Sequence, residues 1–176
     1  NLAKEHNYFM PMQFDNLINP KAHMHSTALE IIEDFEQLDY LVVGVGTGGT
    51  ITGTGSILKA HYPNIKITAV EPRDSAVLSG KDPGPHKIQG IGAGFIPSIL
   101  DQSVYSDIIT VTNEEAFETA RILAKKEGLF VGISSGANVC AALKIAKTIK
   151  EPLTILTFSP SNAERYLSTD LFKNIH

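Results

Sequence analysis

Glycine and threonine crowd the stretch 44–50, where Gly44, Gly46, Thr47, Gly48, Gly49 and Thr50 stand immediately behind the apolar run "LVV". Glycines in a turn leave main-chain N–H groups bare and threonine adds hydroxyl donors, so residues of these types at this spacing suit an anion. If the turn opens a helix, the positive end of the helix faces the same guest. Phosphate is the natural ligand, and three readings compete. Gly44, Gly46 and Gly49 match G-x-G-x-x-G, and Glu71 follows about 20 residues on, where an acid would hold the ribose of a dinucleotide. The unbroken run from Gly46 to Thr50 could instead enclose one compact monophosphate. The third reading is a tight strand-to-helix turn that binds nothing. The P-loop is set aside, because no Gly-Lys-Ser/Thr closes the turn.

The elements that must position this turn are legible on either side of it. Asn19-Pro20 supplies a helix cap with proline at the first helical position, and Ala28, Leu29, Ile31, Ile32 and Phe35 then recur at helical spacing, which predicts one helix ending near Gln37. Residues 40–45 form a short β-branched run, as expected of a strand buried on both faces. A helix over 50–61 and a strand over 65–70 complete a parallel βαβ unit. The stretch 72–97 is rich in glycine and proline and long enough to be a functional loop. A strand resumes at 108–111, and Thr112 with Glu115 has capping-box spacing for a helix ending at Gly128. "ISSGA", residues 133–137, reads as a serine-capped helix start rather than a second anion site, with its helix running to Ile149. Residues 153–158 are the last buried strand. Strands alternating with helices predict an α/β fold with a mostly parallel sheet.

Composition narrows the function. A chain of 176 residues, 43% apolar and 19% charged, is long enough for a sizeable core. The net charge of -4 and the lack of basic runs argue against nucleic acid and anionic membrane partners. No apolar stretch reaches the roughly 18 residues needed to span a bilayer. The single cysteine, Cys140, cannot form an internal disulfide, so a soluble cytoplasmic protein is expected. The opening at Asn1 without methionine reads as part of a longer polypeptide. Other candidates carry less. His23 and His25 lie two apart on a predicted helix and face different ways, which makes a poor metal pair. His86 sits in the loop, Cys140 reads as inert helix packing, and Lys125, Lys126 and Glu127 read as a solvated helix end.

Beyond the turn, the sequence resembles the cysteine synthase (O-acetylserine sulfhydrylase) family of pyridoxal-phosphate enzymes, with the cystathionine β-synthases close by. The stretches that carry the likeness are "FMPMQFDNLINPKAH", "GVGTGGTITG", "VEP", "GPHKIQGIGAGFIP", "EGLFVGISSGAN" and "PSNAERYLST", in that order. The resemblance implies a doubly wound fold with helices on both faces of the sheet. Residues 1–15 would end a smaller N-terminal domain, and residues 16–176 would form the larger, cofactor-phosphate-binding one. It implies pyridoxal 5'-phosphate as cofactor, its phosphate on Gly46, Thr47, Gly48, Gly49 and Thr50 and its pyridine nitrogen on Ser161. Gln13 would bind the substrate carboxylate and Gly90 would face the substrate. The Schiff-base lysine is expected upstream, and Lys87 reads as a loop residue rather than its substitute. The implied reaction forms cysteine from O-acetylserine and sulfide, with cystathionine formation or hydrogen sulfide release as alternatives. Family members are typically homodimers, and some dock the C-terminal tail of serine acetyltransferase. Two departures stand out. Met12 replaces a common glutamine, and Ala163 replaces a glycine, which would strain the Ser161 turn if that position needs positive φ.

Overall fold

A computed structural model describes residues 2–173 of the chain. Strands β1 (Tyr40–Gly44), β2 (Lys66–Pro72), β3 (Asp107–Val111) and β4 (Ile155–Thr157) form one sheet in the order β3-β2-β1-β4, and every pairing is parallel. Side chains on a strand point alternately to the two faces, and burial on both faces demands apolar residues at every position. In β1, Leu41 and Val43 join one core cluster with Ile67 and Ala69 of β2, while Val42 joins the other with Val70 and Val111.

Helices cover both faces, so the sheet is doubly wound. The first cluster takes in Ile31 of α3 (Thr27–Asp34) and Ile51 and Leu58 of α4 (Gly49–His61). The second takes in Ala116, Phe117 and Ala120 of α5 (Asn113–Ile122), and Ile133, Ala137 and Ala141 of α6 (Ile133–Ala146). After β1 the chain winds outward through α4, β2 and β3; after β3 it crosses back through α5 and α6 to β4 on the other side of β1. The direction of winding therefore reverses between β1 and β4, and in open parallel sheets ligands bind in the crevice at such a point.

Several boundaries differ from the sequence reading, each for a local reason. The first long helix is two, α2 (Ile18–His25) and α3, broken at Ser26, whose backbone leaves the helical region. Asn19 lies inside α2 and caps nothing; the Asn16 Oδ1 accepts the Ile18 N–H instead. The capping box of Thr112 and Glu115 is present as expected. The helix it starts passes into one π turn, Leu123–Glu127, before Gly128 ends it in the left-handed region, so Lys125, Lys126 and Glu127 lie on that turn. α6 is capped by Gly132 without a side-chain bond, and neither Ser134 nor Ser135 serves as its cap. At the start of the chain α1 (Leu2–Glu5) buries no residue.

Candidate active site

A cavity of about 310 Å³ opens at the reversal point, between the turn after β1 and the segment after β4. The turn takes its shape from Gly48, whose φ of 84 lies in the left-handed region. A Cβ there would sit 2.9 Å from the Cβ of Leu100, so both torsion and space select glycine. A Cβ on Gly46 would come within 2.4 Å of the Gly90 carbonyl oxygen, which brings the two glycine segments into direct apposition. The loop that carries Gly90 is fixed to the sheet by the Gly92 N–H, which donates to Val45 O, and by His86, whose Nε2 meets Gly92 O and whose Nδ1 accepts from Ile88 N.

Gly46, Thr47, Gly48 and Thr50 line the cavity, whereas Gly49 is turned against α2, where a Cβ would collide with the Asn19 side chain. Gly53, one helical turn later, meets Pro20 and His23 in the same way. The glycines of "TGGTITG" thus serve two purposes: some open the cavity, and others let α2 pack close behind it. Through that contact Asn19 Nδ2 donates both to Thr47 Oγ1 (3.1 Å) and to Gln13 O (2.9 Å), and the Gly49 N–H donates to Thr47 Oγ1. His23 reaches Thr50 Oγ1 at 3.2 Å through Nε2 and Thr27 Oγ1 at 3.0 Å through Nδ1. Burial holds its pKa below the usual imidazole value, which favours the neutral ring, with one nitrogen donating and the other accepting in this bridge.

On the opposite wall stands Ser161. The residues flanking it pair with the segment before α6: Gly132 N donates to Ser161 O, Ala163 N donates to Phe130 O, and Val131 bridges Asn162. Its hydroxyl lies 3.0 Å from the Tyr166 hydroxyl, and both residues line the cavity. The turn that follows is headed by Asn162, so Ser161 is not its cap. Ala163 is buried and has no positive φ, so the strain expected there is absent; among the described residues the positive-φ positions other than glycine are Asn7 (φ 52) and Met12 (φ 54). From α6, Ser134 and Asn138 also line the cavity. Asn138 is buried, its Nδ2 donates to Phe158 O, and its Oδ1 has no partner.

The remaining candidates lie elsewhere. Gln13 is exposed and does not line the cavity; only its carbonyl joins the network, through Asn19. Glu71 is buried and points away, accepting from Leu78 N, Ser79 N and Ser79 Oγ, so it is not available to a ribose. Lys87 pairs with Asp170 at the surface. Burial pushes the Cys140 thiol up, as suits packing rather than chemistry. Among the described residues no cluster of histidine, cysteine and acids could hold a metal, and no helix is long and apolar enough to cross a membrane. Sequence reasoning missed Asn19, Ser134, Asn138 and Tyr166 as cavity or supporting residues. "ISSGA" and "ERYLS" were visible as motifs, but nothing in their spacing showed that both segments return to one crevice.

A doubly wound parallel sheet with a glycine cradle and a hydroxyl facing it across the reversal crevice matches one broad class of enzyme. Residues 1–160 match the family model described as "pyridoxal-phosphate dependent enzyme", and the chain belongs to that family. Over 173 residues it is 51% identical to the cysteine synthase of Staphylococcus aureus, with 97% of this chain and 56% of that protein aligned. It is similar in structure to an O-ureido-L-serine synthase, with TM-score 0.97, 43% identity, and 99% of this chain and 56% of the other covered. O-acetyl serine sulfhydrylase isoform 3 from Entamoeba histolytica is comparably similar, with TM-score 0.94, 46% identity, and 99% and 53% covered. The chain thus spans little more than half the length of the relatives it matches. The wall suits a phosphate-bearing ring compound. A Cβ at Gly46 would collide with the Gly90 carbonyl oxygen on the cavity wall, Thr47 and Thr50 bring hydroxyls, and the unpartnered Asn138 Oδ1 marks a polar lining.

Proposed function

We propose that the whole protein forms L-cysteine from O-acetyl-L-serine and sulfide by a pyridoxal-phosphate-dependent β-replacement. One observation carries this reading: a glycine- and threonine-lined turn and a serine hydroxyl share one cavity of about 310 Å³ at the sheet's reversal point. A dinucleotide would need Glu71 for its ribose, and that side chain is engaged by the 78–79 backbone.

In this reading the amides of Gly46, Thr47, Gly48 and Thr50 and the hydroxyls of Thr47 and Thr50 hold the cofactor phosphate, Gly49 serves the cradle only by donating its N–H to Thr47 Oγ1, and Ser161 donates to the pyridine nitrogen. When bound, the cofactor supplies an electron sink that lets a leaving group depart from Cβ of the substrate. Serine, a neutral donor, leaves the ring nitrogen less positive than an aspartate would, which favours β-elimination over deeper carbanion chemistry. Gln13, which lies outside the cavity but is tied to it through Asn19, would reach the substrate α-carboxylate with its exposed side chain, and Gly90 closes the substrate side and helps exclude water. Residues 1–15 end a smaller domain and the rest form the larger one. The exposed Phe9, Met10, Leu129 and Leu167 suit burial against further protein, in keeping with a homodimer. A cytoplasmic location and docking of a serine acetyltransferase tail complete the proposal.

The test is a cysteine-forming assay on the full-length protein alongside its visible cofactor band. Ser161→Ala is expected to keep the band while turnover falls about 10- to 100-fold, the worth of one hydrogen bond to a charged or developing-charge group. Turnover unchanged in Ser161→Ala, or no cofactor band in the unmodified protein, contradicts the reading.

A further inference from the structure

Thr47 is hydrogen-bonded in a way that determines where its proton goes. A hydroxyl has two lone pairs and one hydrogen. Here Thr47 Oγ1 receives the Gly49 N–H at 3.2 Å and Asn19 Nδ2 at 3.1 Å, so both acceptor directions are filled. The orientation of the Asn19 amide is not arbitrary. The same terminal atom also faces the Gln13 carbonyl oxygen at 2.9 Å, and a carbonyl oxygen can only accept, so that atom is the nitrogen. Its two hydrogens serve Gln13 O and Thr47 Oγ1. The Thr47 hydrogen is then left to point out of this network, and Thr47 lines the cavity.

We propose that Asn19 is a positioning residue of the phosphate cradle: its amide makes Thr47 an obligate hydrogen-bond donor toward a phosphate ester and ties the Gln13 segment to that cradle. This rests on the reading that the cavity holds the phosphate of pyridoxal phosphate. The bare space opposite Asn19 supports the role. A Cβ on Gly49 would lie 1.9 Å from Asn19 Oδ1, so glycine at that position is what allows the amide to reach Thr47 at all. Without the Asn19 donor, the Thr47 hydrogen is free to turn toward whichever oxygen replaces it, and the cradle exchanges a donor for a lone pair facing an anion. Phosphate recognition weakens, while ring recognition at Ser161 is untouched.

Asn19→Asp keeps the shape and removes the donor, and its carboxylate would attract the Thr47 hydrogen away from the cavity. The experiment measures equilibrium dissociation constants of pyridoxal 5'-phosphate and of pyridoxal, which lacks the phosphate, for the full-length protein with and without this change. Pyridoxal phosphate is expected to weaken about 10-fold or more and pyridoxal to stay within about 2-fold. Asn19→Ala is the second variant, combined with Thr47→Val in a double-mutant cycle. Once the Thr47 hydroxyl is gone, removing Asn19 is expected to change phosphate-ester affinity little. Equal weakening of both ligands, or effects of Asn19→Ala and Thr47→Val that simply add, overturns the role of Asn19. An unmodified protein that binds pyridoxal as tightly as pyridoxal phosphate overturns the cofactor-phosphate reading itself, and the inference with it.

Discussion

His23 and Gly48 show how single residues set the chemistry of the cradle. The bridge from Thr27 through His23 to Thr50 works with a neutral ring, which has one donor and one acceptor to share. Burial lowers the folded pKa of His23 below its unfolded value, so the unfolded chain takes up a proton first as pH falls. Stability from this group is therefore fully present above about pH 6.5 and drains away as pH falls through the lower folded value. Chemical denaturation at pH 7.5 and pH 5.5 is expected to show this loss, and His23→Gln is expected to reduce it; an identical pH dependence in the variant would contradict the bridge. Gly48→Ala is expected to cost about 1–2 kcal/mol for the left-handed backbone alone, and more for contact with Leu100. Thermal melts and cofactor titration together check this, since a pure stability loss without weaker cofactor binding would place Gly48 outside the cradle.

At the scale of elements, the loop between β2 and β3 depends on one buried carboxylate. Glu71, at 1% exposure, accepts two backbone N–H groups and the Ser79 hydroxyl, and so fixes the start of the loop whose later residues Gly90 and Ile91 line the cavity. Glu71→Ala strands those donors in a buried site and is expected to cost about 3 kcal/mol, read as a shift in denaturation midpoint. Amide exchange in 76–94 should rise in parallel; a variant as stable as the parent would refute the role. This is also where the sequence was partly opaque. Strands β1, β2 and β3 and the capping box at Thr112 were legible, because β-branched runs and cap chemistry are local signals. The G-x-G-x-x-G spacing with an acid about 20 residues on was legible too, yet the same residues permit two ligands. Which way Glu71 turns depends on a loop 7 and 8 residues away. Asn-Pro alone signals a cap at Asn19, whereas its bond to Thr47 crosses 28 residues and has no local signature.

For the whole molecule, the cavity follows from winding order. β1 lies between β2 and β4, the connections that follow β1 and lead into β4 lie on opposite sides of it, and the segments after β1 and β4 face one cavity that takes in both Thr47 and Ser161. No stretch of sequence contains that adjacency, which is why family resemblance, and not spacing, paired the turn with Ser161. The central claim is that this crevice grips one phosphate through the main chain of the turn. Hydrogen–deuterium exchange of the full-length protein, alone, with pyridoxal 5'-phosphate and with pyridoxal, tests it most directly. Strong protection of the amides of Gly46, Thr47, Gly48 and Thr50 by the phosphate ester and little by pyridoxal is the predicted result, whereas protection confined to other segments, or equal for both ligands, would contradict the account.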